Sequence, residues 1–267
     1  MMELTKFSKK QGEILKFAYN DEAAIVCDGA VRSGKTIVMS LSFVLWATSN
    51  FNKTNFAICG KTVSNAERNI LRPFQQIEGM PFELNYKLSS RMLTVKCGKA
   101  ENYFYLFGGK DESSYALIQG LTLAGVLFDE VALMPQSFVD QAIARTLSYK
   151  NAKLWFNCNP ESPNHWFYKD WIKNEKRKFR HLHFLMTDNP ILGAEEIKRA
   201  DALFSGVFHD RYIKGMWVRA EGAIYTAIAD NPESYMINPE DLPELHSVNV
   251  GEDFGGNKSG HAIVCSG

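Results

Sequence analysis

The chain has 267 residues, 45% hydrophobic and 22% charged, an ordinary globular composition with enough apolar material for a substantial core. Its 30 basic and 30 acidic side chains cancel. This excludes attraction to nucleic acid through overall charge and leaves only a local patch to supply it. The five cysteines form no C-x-x-C pair, and three sit in or at the end of apolar runs. They read as small buried hydrophobes in a reducing compartment. The three lysines of residues 1–10 are followed by no apolar stretch, and the run 37–47 is too short to span a bilayer. The expectation is therefore a soluble, intracellular protein with no signal peptide and no membrane segment.

Residues 4–19 carry an amphipathic helical pattern with Ser8 as N-cap. Gln11 within it suits an adenine edge, because an amide both donates and accepts; an ordinary exposed glutamine fits equally well. Next comes the short apolar strand 23–27, then Gly29-Ala30-Val31-Arg32-Ser33-Gly34-Lys35-Thr36, then an apolar helical run over 37–47. Strand, G-x-x-x-x-G-K-[ST] loop and helix form the phosphate-cradling unit of nucleoside triphosphatases. Amides at the helix N-terminus favour anions, Lys35 adds charge on the β- and γ-phosphates, and the Thr36 hydroxyl is a Mg²⁺ ligand.

A second strand is expected over 55–59, then a helix over 64–74 with Ile70, Leu71 and Phe74 as its apolar stripe. Arg68 and Arg72 share a face of that helix at i, i+4. Residues 92–95 and 103–107 alternate around Gly98-Lys99-Ala100-Glu101 as a hairpin, closed by Gly108-Gly109. The apolar run from Leu123 ends in Asp129-Glu130. Downstream of a phosphate loop, such a strand delivers Asp129 to the Mg²⁺ shell and turns Glu130 toward the attacking water as general base. Two solvated acids capping a strand are the alternative. Lys153 to Pro160 is a further strand, with Asn157 and Asn159 at its end as candidate γ-phosphate sensors or as residues that turn the chain before Pro160.

From His165 on the pattern changes. The basic run 173–180 reads as a solvated helix face ahead of a phosphate-backbone contact. His181 and His183 alternate in a strand and, with no carboxylate or cysteine at metal spacing nearby, read as structural. Helices are expected over 194–204 and 211–218. Residues 220–245, with Asn231-Pro232, Asn238-Pro239 and Leu242-Pro243, read as a linker. A strand then reaches Glu252-Asp253, and a second begins at His261.

Together, Cys27-Asp28-Gly29-Ala30-Val31-Arg32-Ser33-Gly34-Lys35-Thr36, Gln119-Gly120-Leu121-Thr122-Leu123-Ala124-Gly125, Asp129-Glu130 and Asn157-Cys158-Asn159-Pro160 resemble the large terminase subunit of tailed bacteriophages. The likeness is strongest to its branch in phages and prophages of Gram-positive bacteria, and it covers nearly the whole chain. The resemblance implies an α/β P-loop ATPase of RecA/ASCE type, with a mostly parallel sheet flanked by helices, that drives double-stranded DNA into a procapsid. The implied division is an ATPase core at 1–164, a lid-like subdomain at 165–220, a linker at 221–245, and the first strands of an RNase H-like nuclease at 246–267.

Implied cofactors are ATP with Mg²⁺, and Mg²⁺ or Mn²⁺ for a complete nuclease. Implied partners are DNA, the portal and procapsid, the small terminase subunit, and further copies in a ring on the portal; the isolated chain is expected to be monomeric, in the host cytoplasm. The candidate nucleotide site comprises Gln11, Gly29, Ala30, Val31, Arg32, Ser33, Gly34, Lys35, Thr36, Asn157 and Asn159, with Glu130, Lys35 and Arg32 as catalytic residues and Thr36 and Asp129 holding Mg²⁺. Asp253 matches the first nuclease acid; the other acids of that cluster are absent, so no DNA cleavage is expected from this chain. The sequence departs from many relatives at Gln119, where they carry a basic residue with an arginine-finger role; Arg32, Arg72 and Arg145 are the replacements to consider. A helicase-type ATPase and a non-catalytic nucleotide-binding remnant of a prophage are the rival readings. The first would need a second strand-and-helix repeat, which the chain after Asn157 does not show.

Overall fold

The computed structural model describes residues 6–219, 232–242, 246–253 and 262–266. The chain divides into two compact units, Met1–Glu221 and Gly222–Gly267.

In the first unit, α1 (Lys9–Phe17) leads to β1 (Ala24–Gly29), the phosphate-type loop and α2 (Lys35–Asn50). Then follow β2 (Asn55–Gly60), α3 (Val63–Ala66), a π-helical stretch (Glu67–Leu71), α4 (Arg72–Gln75), β3 (Glu83–Lys87), β4 (Met92–Cys97) and β5 (Ala100–Gly108). After a 3₁₀ turn (Glu112–Ile118) come β6 (Gly125–Asp129), α5 (Gln136–Ala144), β7 (Lys153–Asn157), β8 (Arg180–Phe184), α6 (Ala194–Leu203) and α7 (Gly206–Tyr212). The strands form one 8-stranded sheet in the order β3-β4-β5-β2-β6-β7-β1-β8. From β5 to β8 every pairing is parallel; β3 and β4 add an antiparallel edge. This is the expected helix-flanked, mostly parallel α/β sheet.

Burial on both faces explains why β1, β6 and β7 read as near-continuous apolar runs rather than as alternating ones. Ile25, Leu127 and Trp155 face a core shared with α1 and α2, while Val26, Phe128 and Phe156 face a second core shared with α5, Phe167 and Trp171. Helix α2 is apolar on nearly all sides because it lies between the sheet and α1. At its centre Phe43 is fully buried and meets Phe56, Phe104 and Trp155 at ring-centroid distances of 5.8, 5.4 and 4.9 Å. Burying such a side chain is worth roughly 1.5–3 kcal/mol. Helix α1 starts at Ser8, whose hydroxyl accepts from the Gln11 amide N–H while the Gln11 side chain accepts from the Ser8 N–H, a capping box.

Four local features depart from the sequence expectations. The strand β3 went unread because its Leu84 and Tyr86 are only half-buried and lie between polar residues. Residues 173–179 form turns, not a helix, and Arg180 opens β8, where it pairs with Glu13 and Glu22 at 2.8 and 2.6 Å. The helix expected over 211–218 is α7, which ends at Tyr212, and Gly215 beyond it adopts φ +68°, a conformation that ends helices. Within 165–220, expected as a lid, β8 joins the main sheet beside β1.

The second unit contains an antiparallel pair, β9 (Asn249–Asp253) and β10 (Ala262–Ser266), with Asp253 opposite Ala262. Most of the expected linker lies outside the described residues; its part 232–242 holds two short 3₁₀ turns, Pro232–Tyr235 and Pro239–Asp241.

Candidate nucleotide site

Parallel pairing puts the carboxyl ends of β1, β6 and β7 side by side, with Cys27 opposite Asn157 and Asp129 opposite Asn157. Ligands of open α/β sheets bind outside these ends. Here the loop after β1 closes over them and runs into α2, with Gly34 as N-cap at φ +80° and no side chain capping the first turn. The positive φ at Gly34 is what favours glycine there, since side chains rarely adopt it; a Cβ would lie 2.6 Å from Gln11 Nε2, the movable end of a side chain. The resulting cleft, about 570 Å³, is lined by residues 31–37, Asn69, Pro73, Asp129, Glu130 and residues 157–159.

Lys35 is buried within it. Its ammonium donates to the carbonyls of Gly29 (3.1 Å) and Ala30 (2.7 Å), to Ser33 Oγ (3.2 Å) and to Asn159 Oδ1 (3.3 Å). Burial lowers its pKa from the usual lysine value to about 8. Opposite it, Asn157 Nδ2 donates to both Asp129 Oδ1 (2.6 Å) and Thr36 Oγ1 (2.8 Å), and these two oxygens lie 3.5 Å apart. Asn69, on the π-helical stretch, holds the other oxygen, Asp129 Oδ2, at 3.1 Å. Asp129 is raised above the ordinary carboxylate range by burial, against the hydrogen bonds from Asn69, Asn157 and Thr36. Glu130 is raised too, by burial and then by the charge of Asp129, while a hydrogen bond from Asn65 and the charge of Arg68 oppose the rise. Its backbone is left-handed, at φ +56°, which turns the chain out of β6 immediately after Asp129.

The fold therefore brings Lys35, Thr36, Asp129, Glu130, Asn157 and Asn159 into one cleft. Arg32 lines it as an exposed residue at φ +56°, its carbonyl accepting from Asn189 Nδ2 at 2.7 Å. Of the three arginines considered as a finger, only Arg32 lines the cleft; Arg72 is exposed outside it, and Arg145 has a buried Nε without a hydrogen-bond partner. Gln11 is buried behind the loop, its Nε2 3.4 Å from the Ser33 carbonyl. Asp253 ends β9, in the other unit, and its side chain lies outside the described residues. Sequence reasoning missed Asn65 and Asn69. They stand at i, i+4 on the helix already marked by Arg68 and Arg72, but nothing local says that this face meets Asp129 and Glu130.

Against known families, residues 26–229 match the N-terminal model of the T4-type terminase large subunit. The chain belongs to this family. Among solved structures it is similar to the large terminase of a thermophilic bacteriophage in complex with ADP, at 42% identity and TM-score 0.78, over 93% of this chain and 62% of that one. The same phage's large terminase in complex with ATP-gamma-S aligns at 42% identity and TM-score 0.76, over 94% and 62% of the two chains. The large terminase ATPase domain of Thermus phage P74-26 shares the fold at 18% identity and TM-score 0.60, over 80% of this chain and 94% of that one. The chain thus spans 62% of the thermophilic phage's terminase chain. No curated protein matched it. Among the described residues no helix is long and apolar enough to cross a membrane.

Proposed function

We propose that this terminase chain is an ATP-hydrolysing motor subunit that drives double-stranded DNA into a procapsid in the host cytoplasm. The observation that carries the reading is the convergence of Lys35, Thr36, Asp129 and Asn157 on one cleft beneath an uncapped helix N-terminus. The ADP and ATP-gamma-S complexes of the thermophilic phage's terminase support it.

A triphosphate fits along the loop, with first-turn amides of α2 and the Lys35 ammonium on its β- and γ-oxygens. Lys35 then exchanges the Gly29 and Ala30 carbonyls for phosphate oxygens. Thr36 Oγ1 and Asp129 Oδ1 form an all-oxygen pair suited to a hard divalent cation, and Asn157 Oδ1 is buried beside them with no hydrogen-bond partner, as an acceptor for a metal-bound water would be. Mg²⁺ held there supplies positive charge to the phosphates. Glu130 takes the proton of a water that attacks the γ-phosphorus; the bond from that phosphorus to the β–γ bridging oxygen breaks, leaving ADP and phosphate. The raised pKa of Glu130 makes it a better base than an ordinary glutamate. Arg32, at the rim, contributes to stabilising the charge that develops, and Asn157 and Asn159 register whether the γ-phosphate is present.

The remaining assignments stand on the family. They are the portal and procapsid, the small terminase subunit and a ring of copies as partners, and Asp253 as the first acid of a nuclease that needs Mg²⁺ or Mn²⁺. Domain limits of 1–164, 165–220, 221–245 and 246–267 are proposed on the same ground, with β8 of the second segment completing the sheet of the core beside β1. The test is ATP turnover with Mg²⁺ by the purified chain beside Lys35→Ala and Glu130→Gln. Loss of both binding and turnover in the first, and of turnover alone in the second, is expected. Turnover surviving Glu130→Gln would refute the assignment of the base.

A further inference from the structure

The residue just before the loop, Asp28, is buried with 1% of its surface exposed and does not line the cleft. Its carboxylate is the meeting point of three chain segments. Oδ1 accepts from His181 Nε2 (2.9 Å) and His183 Nδ1 (3.0 Å), both on β8, and Oδ2 accepts from Trp217 Nε1 (2.7 Å). A buried carboxylate is costly unless it is paired and hydrogen-bonded. Burial alone would push Asp28 up; the two histidines and Trp217 outweigh that and hold it below the usual range, as an anion.

Backbone contacts converge on the same place. The Ala30 N–H donates to the Phe184 carbonyl at 2.7 Å, and the Val31 N–H to the Tyr212 carbonyl at 2.9 Å. Gly215 sits so close that a Cβ there would be 2.8 Å from Ala30 N and 2.9 Å from Gly29 Cα. Residues 212–217 are therefore a strap laid directly on the back of Gly29–Val31, the stretch that includes the two carbonyls holding Lys35. Beyond the strap, the Arg211 guanidinium donates twice to the Val218 carbonyl (3.1 and 2.8 Å) and pairs with Glu161 at 2.8 Å, and Trp217 stacks on Tyr168 at 4.8 Å.

We propose that Asp28 is a positioning residue for the phosphate-binding loop: by holding Trp217, His181 and His183 it clamps residues 212–217 against Gly29–Val31 and presets the loop to take an anion. The inference rests on the nucleotide reading and adds to it the strap and its tie. A loop that is competent only part of the time binds more weakly by that fraction, so the clamp acts on affinity and leaves the chemical step to Glu130 and Lys35.

The test is equilibrium binding of ATP-γ-S, with ATP turnover at saturation, for the full chain and for Asp28→Asn, which keeps shape and removes charge. A loss of about tenfold in affinity is expected from breaking hydrogen bonds to a charged group, with saturated turnover retained. Ring ¹⁵N spectra of His183 supply a readout that packing alone would not move. The Asp28 hydrogen bond is the main reason this histidine keeps its proton to higher pH than usual, aided by the Lys214 carbonyl and opposed by burial and by Lys10. Its titration should fall to lower pH in the variant. Trp217→Phe should weaken binding in the same direction, and the double variant should be no weaker than the worse single one, because one clamp is broken once. Unchanged affinity in Asp28→Asn after the His183 signal has moved, or fully additive losses, would overturn the proposal. Should Asp28→Asn not fold, unchanged affinity in Trp217→Phe overturns it. No ATP-γ-S binding by the unaltered chain would instead overturn the nucleotide reading, and this inference with it.

Discussion

Lys35 carries a prediction whose size follows from the structure. Burial among neutral carbonyls lowers its pKa from 10.5 to about 8, a penalty on the charged form of about 3 kcal/mol. Phosphate oxygens restore the proton, so nucleotide binding must take up protons from solution. With a free-state pKa of about 8, uptake should be about 0.1 proton at pH 7, about 0.5 at pH 8 and about 0.9 at pH 9. The same linkage makes affinity nearly flat below pH 8 and weaker above it. The assay is calorimetric titration with ATP-γ-S and EDTA at pH 8 in buffers of different ionisation enthalpy; the slope of observed heat against that enthalpy counts protons. Lys35→Arg is the control, because a guanidinium stays charged throughout this range. A zero slope for the unaltered chain, or the same slope in Lys35→Arg, would refute the reasoning.

Glu130→Gln should lower turnover by about 10²–10⁴-fold and leave ATP-γ-S binding intact. In the unaltered chain the acid limb of kcat should fall at a pH above the ordinary glutamate value of 4.5, since protonation silences the base and its pKa is raised; a limb at or below that value would remove Glu130 as the titrating group. Phe43→Ala leaves a cavity among Phe56, Phe104 and Trp155 and should cost about 3–5 kcal/mol in urea unfolding. The dilute chain should turn ATP over slowly, with specific activity rising with protein concentration, because an arginine supplied by a neighbouring subunit is worth about 10³–10⁵-fold. Fast turnover independent of concentration would instead mean that Arg32 of the same chain suffices and that no neighbouring subunit's arginine is needed.

The loop Gly29–Thr36 and the pair Asp129-Glu130 were legible in sequence because their chemistry is local. A glycine-bounded turn into a helix and an apolar strand ending in acids are set by a few adjacent residues, and short continuous apolar runs mark the strands that carry them. The helix-flanked parallel sheet was expected from the family resemblance, and the buried runs of β1, β6 and β7 agree with it. What the sequence left open was partnership. His181 and His183 were read as structural for want of a nearby carboxylate, yet their partner Asp28 lies 153 and 155 residues upstream, brought beside them when β8 pairs with β1. Asn69 and Asp129 are 60 residues apart, and Asn157 and Thr36 are 121 apart. Periodicity reports which face of an element is buried, but not which strand lies beside it. Only the strand order, fixed by packing both cores at once, brought the ends of β1, β6 and β7 together and laid residues 212–217 against the loop.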